Sequence, residues 1–387
     1  MSHLAILGRQ PEISYAELLS LYPGRVTRLN EQCAQIEDDS VSLDRLGGSI
    51  KLGIVAGNLP EVAVQDLAKE LAATDIAETI ATSGEGKLSF GLSLYGFSLS
   101  KGQHEALGLE LKKIFKQLGR SVRYVASKSQ LNAAQITHNK LLDKGADIWI
   151  VRTTKGYTLA TTVAVQNIAA YGERDHGRPA RSAKVGMLPP KLAQMMINLA
   201  APKDGGRILD PFCGTGVILQ EASLLGFKAY GTDIEAKLIE MSKTNGAWLA
   251  SNHQTPEWDL AVGDATTHQW NGQIDAVITE GYLGPALSKI PSDKELMRLK
   301  TDATQLTVDF LTNLAPQIKS GTPVCITLPC WKTESGFSRV EILDQINHIG
   351  YTLKEFLPVT YEHLLYVRAD QIVGRQITAL TRQERGN

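Results

Sequence analysis

The stretch Arg207-Ile208-Leu209-Asp210-Pro211-Phe212-Cys213-Gly214-Thr215-Gly216 decides how this chain is read. A short apolar run ends on an acid, passes through a glycine-containing turn and enters an amphipathic segment. That is how a doubly wound α/β domain offers a strand's carboxyl edge to a nucleoside-bearing cofactor. Glycine at 214 and 216 removes side chains where backbone must turn sharply or meet a ligand. A dinucleotide site needs glycine where Asp210 and Cys213 stand, so that a pyrophosphate can rest on the helix N-terminus; a carboxylate at the strand end repels it. Asp210 suits a cation. S-adenosylmethionine carries a sulfonium and an α-ammonium and no phosphate, so the acid favours methyl transfer over hydride transfer.

The spacing downstream supports that choice. The next strand, Lys228-Ala229-Tyr230-Gly231-Thr232, ends at Asp233 and Ile234, about 20 residues beyond the glycine turn, where a carboxylate can take both hydroxyls of a ribose. A third acid, Asp264, follows the next apolar segment and precedes Ala265; it can accept from an adenine amino group. Each acid alone is also what a turn or helix cap would supply, but three at successive strand ends point to a cofactor. The expected cofactor contacts are Asp210, Phe212, Cys213, Gly214, Gly216, Asp233, Ile234, Asp264 and Ala265. The strand Asp275-Ala276-Val277-Ile278-Thr279 runs into Glu280-Gly281-Tyr282-Leu283-Gly284, at the edge that would face the methyl group. Methyl transfer to an exocyclic amine needs an aligned lone pair and an acceptor for the proton. Glu280 can accept it, and Tyr282 can stack on an extruded base.

At 387 residues the chain should hold two domains or slightly more. Its formal charge of -1 excludes a protein that is basic throughout, so any nucleic-acid contact must come from a local patch. Such a patch is legible: Lys112, Lys113, Lys116, Arg120, Arg123 and Lys128, with Lys101, Lys140 and Lys144, outnumber the acids between them. Tyr124, Asn132, Gln135 and His138 can add polar or stacking contacts. Cys33, Cys213, Cys325 and Cys330 show no paired spacing, so neither structural zinc nor a disulfide framework is expected, and a reducing, cytoplasmic location is. The N-terminus reads as a strand, without a signal peptide or membrane span.

Residues 1–170 read as an α+β module, 171–189 as a linker, 190–374 as an α/β domain of alternating strands and helices, and 375–387 as a frayed polar tail. Within the α/β domain the pattern predicts helices over 217–225, 236–250, 302–318 and 338–349, a strand over 323–328, and closing strands over 351–357 and 364–368 that pair with each other.

Several short motifs together resemble the THUMP-containing tRNA guanosine-N2 methyltransferases, particularly the archaeal and eukaryotic group acting on guanosine 10. They are Leu7-Gly8-Arg9-Gln10-Pro11-Glu12-Ile13-Ser14, Phe90-Gly91-Leu92-Ser93-Leu94-Tyr95-Gly96, Thr162-Val163-Ala164-Val165-Gln166, Arg174-Asp175 with Gly177-Arg178-Pro179, Pro190-Lys191-Leu192-Ala193, and the Asp210 to Gly216 turn. The resemblance implies a Rossmann-like class I methyltransferase domain behind a THUMP-like RNA-binding module, tRNA as partner, S-adenosylmethionine as cofactor and, as in some relatives, a small activator subunit. By resemblance Asp210, Gly214, Gly216, Asp233 and Asp264 fall on cofactor-binding positions. The family's catalytic loop reads Thr-Asp-Pro-Pro-Tyr-Gly, and this chain reads Thr279-Glu280-Gly281-Tyr282-Leu283-Gly284. That departure keeps two alternatives open: an RNA-binding pseudoenzyme, and a DNA amino-methyltransferase.

Overall fold

The computed structural model describes residues 1–82, 86–181, 188–368 and 371–384. The chain divides into two compact units. The first comprises Met1–Pro11, Tyr22–Asp44 and Gly48–Ile168; the second comprises Glu12–Leu21, Arg45–Gly47 and Ala169–Asn387. The helix α1, Pro11–Leu21, therefore packs almost wholly with the second unit although it lies near the N-terminus. There Glu17, 0% exposed, accepts from Asn198 Nδ2 at 2.7 Å and from the Gly47 amide at 2.8 Å, which holds the three chain segments together.

The first unit is built on β1 (His3–Leu7), β2 (Val26–Asn30), β3 (Cys33–Ile36), β4 (Ser49–Leu59), β5 (Leu88–Tyr95), β6 (Val122–Val125), β7 (Gly145–Thr153) and β8 (Gly156–Val165). They form one sheet in the order β2-β3-β1-β4-β8-β7-β5-β6, antiparallel except for the β5–β6 and β5–β7 pairs. Helices α2 (Leu67–Ala72), α3 (Asp75–Thr82), α4 (Lys101–Gln117) and α5 (Ala133–His138) complete it. Helix α4 starts at a reciprocal cap between Ser100 and Gln103 and buries Leu107, Leu111 and Phe115 on one face.

After α1 the second unit continues with α6 (Ile168–His176) and α7 (Pro190–Ala200), so part of the segment expected as linker is helical. Then β9 (Arg207–Asp210), α8 (Val217–Leu224), β10 (Lys228–Asp233), α9 (Ala236–His253), β11 (Asp259–Val262) and β12 (Ala276–Glu280) alternate as the pattern predicted. The long helix α10 starts at Asp293, capped by Ser292, and ends at Leu314. Beyond it β13 (Pro323–Thr333) pairs with a short β14 (Gly336–Arg339), so the expected helix over 338–349 reduces to α11 (Leu343–Ile349). Gly336, at φ 134°, makes that hairpin turn in a conformation L side chains rarely adopt.

The largest correction concerns the tail. Residues expected to fray form β17 (Val373–Arg382), a buried ten-residue strand antiparallel to β13. The closing strands β15 (Tyr351–Leu353) and β16 (Leu365–Tyr366) do not pair with each other; each pairs with β17. The sheet order is β11-β10-β9-β12-β13-β17-β15. Strands β9 to β13 run parallel along this path, and the chain moves outward from β9 to β11 before returning to β12 on the other side. The point of reversal lies between β9 and β12, where an open α/β sheet forms a crevice at its carboxyl edge. Asp210 and Glu280 end the two strands that flank it.

Candidate active site

The crevice is organised around two acids on neighbouring strands. Asp210 is 2% exposed; Thr279 Oγ1 donates to its Oδ1 at 2.7 Å, and the Phe212 amide donates to the same oxygen at 3.2 Å. Burial pushes the Asp210 carboxyl up to about 8, against these hydrogen bonds. A cation beside it would reverse that, because an opposite charge restores the ionised form.

The glycine turn is held from several sides. Gly214 and Gly216 adopt φ of 53° and 85°, and a side chain on Gly216 would meet the Trp258 ring at 2.5 Å. Ser242 Oγ donates to the Gly214 carbonyl at 2.8 Å, and Asn245 Nδ2 to that of Thr215 at 2.9 Å. Arg178, 3% exposed, donates to Thr215 Oγ1 at 3.3 Å. Ser242, Asn245 and Trp258 carry no local sequence signal; their contacts are fixed by tertiary packing alone.

The other expected cofactor contacts divide in two. Asp233 ends β10 with Oδ2 accepting from the Gly214 amide and Oδ1 from the Glu235 amide, both at 2.9 Å; burial raises its pKa. It links the glycine turn to the next strand end, and each oxygen keeps a further lone pair. Ile234, 66% exposed, offers an apolar surface beside it. Gly263 N donates to the Asp233 carbonyl at 3.0 Å, so Asp264 follows along the same edge. Asp264 also caps its own turn: Thr266 donates to its Oδ1 through both N and Oγ1, which lowers its pKa. Ala265 is 4% exposed. Cys213 is buried, its thiol pushed well above its ordinary value, and the half-buried Phe212 packs edge-on against Phe310 at 5.3 Å.

At the other flank Glu280 is tied down. Arg375 Nε, from β17, donates to Glu280 Oε1 at 2.5 Å, with the two side chains 4% and 16% exposed respectively. Burial raises the Glu280 pKa and Arg375 opposes that rise. Among the described residues Glu280 Oε2 accepts no hydrogen bond. Gly281 gives a physical reason for the missing proline. Its amide donates to the Thr327 carbonyl at 3.1 Å, and a Cβ there would lie 2.5 Å from that oxygen. Proline could neither donate nor fit. Tyr282, 49% exposed, stands outside the core on the loop that follows.

Residues 178–307 match a family model described as UPF0020, an RMKL-like methyltransferase domain. Over this stretch, about a third of the chain, the sequence is similar to that methyltransferase domain. Similar proteins include the tRNA (guanine(10)-N2)-dimethyltransferase of Methanothermobacter thermautotrophicus, 31% identical over 156 residues, or 40% of this chain and 42% of that protein. The protein of the same name from Pyrococcus abyssi is 35% identical over 111 residues, or 28% of this chain and 32% of that one. The aligned stretches thus span less than half of either relative. Among solved structures, TrmN from Thermus thermophilus aligns over 99% of this chain and 100% of its own at a TM-score of 0.54 and 16% identity, which establishes the fold. The second unit thus has the Rossmann-like α/β architecture expected from the sequence.

In the first unit Lys113, largely exposed, pairs with the half-buried Glu110 at 2.9 Å; Lys116, Arg123 and Lys128 are exposed, while Lys112 and Arg120 are half-buried. Arg123 donates to Asn139 Oδ1 at 3.2 Å. Three of the auxiliary candidates have structural work instead. Tyr124 lies 5.3 Å from the Phe90 ring with its hydroxyl over Gly108, where a Cβ would collide at about 2 Å, and burial raises its pKa to about 12. Asn132 and Gln135 form the reciprocal cap of α5. His138 is exposed at that helix's last position. Among the described residues no helix is long and apolar enough to cross a membrane, and no His, Cys, Asp and Glu cluster suits a metal ion.

Proposed function

We propose that this chain is an S-adenosylmethionine-dependent tRNA (guanine-N2)-methyltransferase, with guanosine 10 the favoured target. The observation that carries this reading is the pair Asp210 and Glu280 on the two strands flanking the crevice, within a methyltransferase domain. The residues fit the cofactor: a buried carboxyl for the ammonium (Asp210), a lone-pair acceptor for the ribose hydroxyls (Asp233), an apolar edge for the base (Ile234) and an acceptor for its amino group (Asp264). When bound, the cofactor supplies an electrophilic methyl on a sulfonium. Glu280 Oε2 receives a hydrogen bond and then the proton from the attacking amine, Thr279 holds Asp210 in place, and Tyr282 stacks on the presented base. The names of the curated relatives support tRNA as the partner. The basic set on α4 and β6 would meet its phosphates in a THUMP-like role, and the setting is cytoplasmic.

The competing reading, an RNA-binding protein without turnover, draws on one observation: Glu280 is engaged by Arg375. Incubation of the purified chain with methyl-labelled S-adenosylmethionine and unmodified tRNA, or duplex DNA in parallel, decides among these readings. N2-methylated guanosine in the tRNA digest is the expected outcome. Label in DNA alone, or cofactor and tRNA binding without transfer, would sink it.

A further inference from the structure

The pair Arg375–Glu280 joins two strands that the chain reaches 95 residues apart. Arg375 is 3% exposed, and its strand β17 is buried along most of its length, so the guanidinium cannot swing into solvent. Glutamate is one methylene longer than the aspartate of the resembled loop and has one more torsion to settle. Left alone at a strand end it would sample several rotamers and would face Asp210, a second acid whose charge raises the cost of ionising both. A planar guanidinium bonded to Oε1 removes both problems, because it selects one rotamer and supplies the opposite charge.

We infer that Arg375 is a positioning residue for methyl transfer, holding Glu280 by Oε1 so that Oε2 alone faces the substrate amine as an ionised acceptor. This rests on the reading of Glu280 as the acceptor. The charged and titratable groups around it are Arg375 from β17, Asp210 from β9 and, beside Arg375, Cys330 from β13. Burial pushes the Cys330 thiol up to about 12, so it stays neutral. With cofactor saturating, the cation beside Asp210 keeps that acid ionised, and the acid limb of kcat then reports Glu280.

The test compares the full chain with Arg375→Gln and Arg375→Lys, measuring S-adenosylhomocysteine affinity, the pH profile of kcat on tRNA and the carbon-13 carboxyl titration of Glu280. Arg375→Gln is expected to bind S-adenosylhomocysteine within about twofold of the parent, lose roughly tenfold or more in kcat, and move both the acid limb and the Glu280 titration up by about 1 unit or more. Arg375→Lys should restore part of the shift. An unmoved titration, or a kcat scaled down with an unmoved acid limb, would overturn the inference. So would loss of S-adenosylhomocysteine binding in both variants, which would make Arg375 a structural strut. If the parent transfers no methyl to any nucleic acid, the functional reading fails, while the carboxyl titration still tests the pair.

Discussion

Lys51–Asp147 in the first unit and Arg375–Glu280 in the second are both buried ion pairs, and they are completed differently. Asp147 is 0% exposed and takes four donors: Ser93 Oγ at 2.7 Å, Thr162 Oγ1 at 2.6 Å, Trp149 Nε1 at 3.0 Å and Lys51 Nζ at 3.2 Å. Lys51 donates in addition to the Leu131 carbonyl at 2.8 Å and lies 5.3 Å from the Tyr95 and Trp149 rings. Both oxygens of the carboxylate are engaged, by donors from β4, β5, β7 and β8, so this pair holds those strands in register. Glu280 has one donor and an oxygen to spare. A saturated buried pair reads as architecture, and an unsaturated one at a crevice reads as chemistry.

Breaking the saturated pair should give the largest effect. Lys51→Met leaves Asp147 charged without its cation, which typically costs about 3–5 kcal/mol. Denaturant unfolding followed by fluorescence should show that loss, while S-adenosylhomocysteine affinity stays unchanged. A Lys51→Met protein as stable as the parent would show that the network does not depend on its cation. It would also remove the contrast between the two pairs.

The acids of the crevice come next. Asp233→Ala should weaken S-adenosylhomocysteine binding by about 1–3 kcal/mol, the usual cost of an unmade charged hydrogen bond. Asp264→Ala should cost less, because that side chain already spends Oδ1 on Thr266. Equal losses in calorimetry would show that capping a turn does not reduce what an acid offers a ligand.

Most of the crevice was legible and most of its support was not. Asp210, Asp233 and Glu280 stand at strand ends because apolar runs of the right length lead into them, a pattern local to the sequence. Strand β17 carries the opposite pattern, with Arg375, Gln376, Thr378, Thr381 and Arg382 among its ten residues. It is buried because each large polar group finds a partner distant in sequence. Gln376 Nε2 donates to the Tyr361 carbonyl at 2.7 Å and its Oε1 accepts from Arg339. Thr378 and the Tyr361 hydroxyl lie 3.1 Å apart, and Arg382 donates to the carbonyls of Ala315 and Gly350. Hydrophobic periodicity cannot register compensation of that kind, so a central strand reads as a tail and Arg375 goes unnoticed. Tyr124, Asn132 and Gln135 fail in the reverse sense: their residue types suit RNA, and local packing and capping claim them first.

Asp210 sharpens the comparison through pH. Burial raises its folded-state pKa from 3.8 to about 8, so the folded chain holds the proton more tightly than the unfolded one. Its contribution to stability is therefore full below the unfolded value and is lost as pH rises toward about 8. Cofactor binding runs the other way, since an ammonium needs the ionised form. Affinity for S-adenosylhomocysteine should rise by up to about tenfold per pH unit below that pKa and level off above it. Asp210→Asn should flatten the slope. A pH-independent affinity in the parent would place the ammonium elsewhere.

The smallest effect is expected where an ion pair is neither buried nor shared. Lys113 and Glu110 meet at 2.9 Å one turn apart on α4, with side chains 70% and 41% exposed. Water screens such a pair and its side chains lose rotamer freedom to form it, so its net worth is about 0.2–1 kcal/mol. Glu110→Gln should leave the unfolding midpoint of the first unit almost unmoved. It should also release Lys113 for phosphate contact, so tRNA affinity should rise slightly and its dependence on salt should steepen by at most about one released counterion. A midpoint loss comparable to that of Lys51→Met would mean that exposure does not separate the two kinds of pair. Unchanged salt dependence would mean that Lys113 faces away from the phosphates, and the basic contacts would then narrow to Lys116, Arg123 and Lys128.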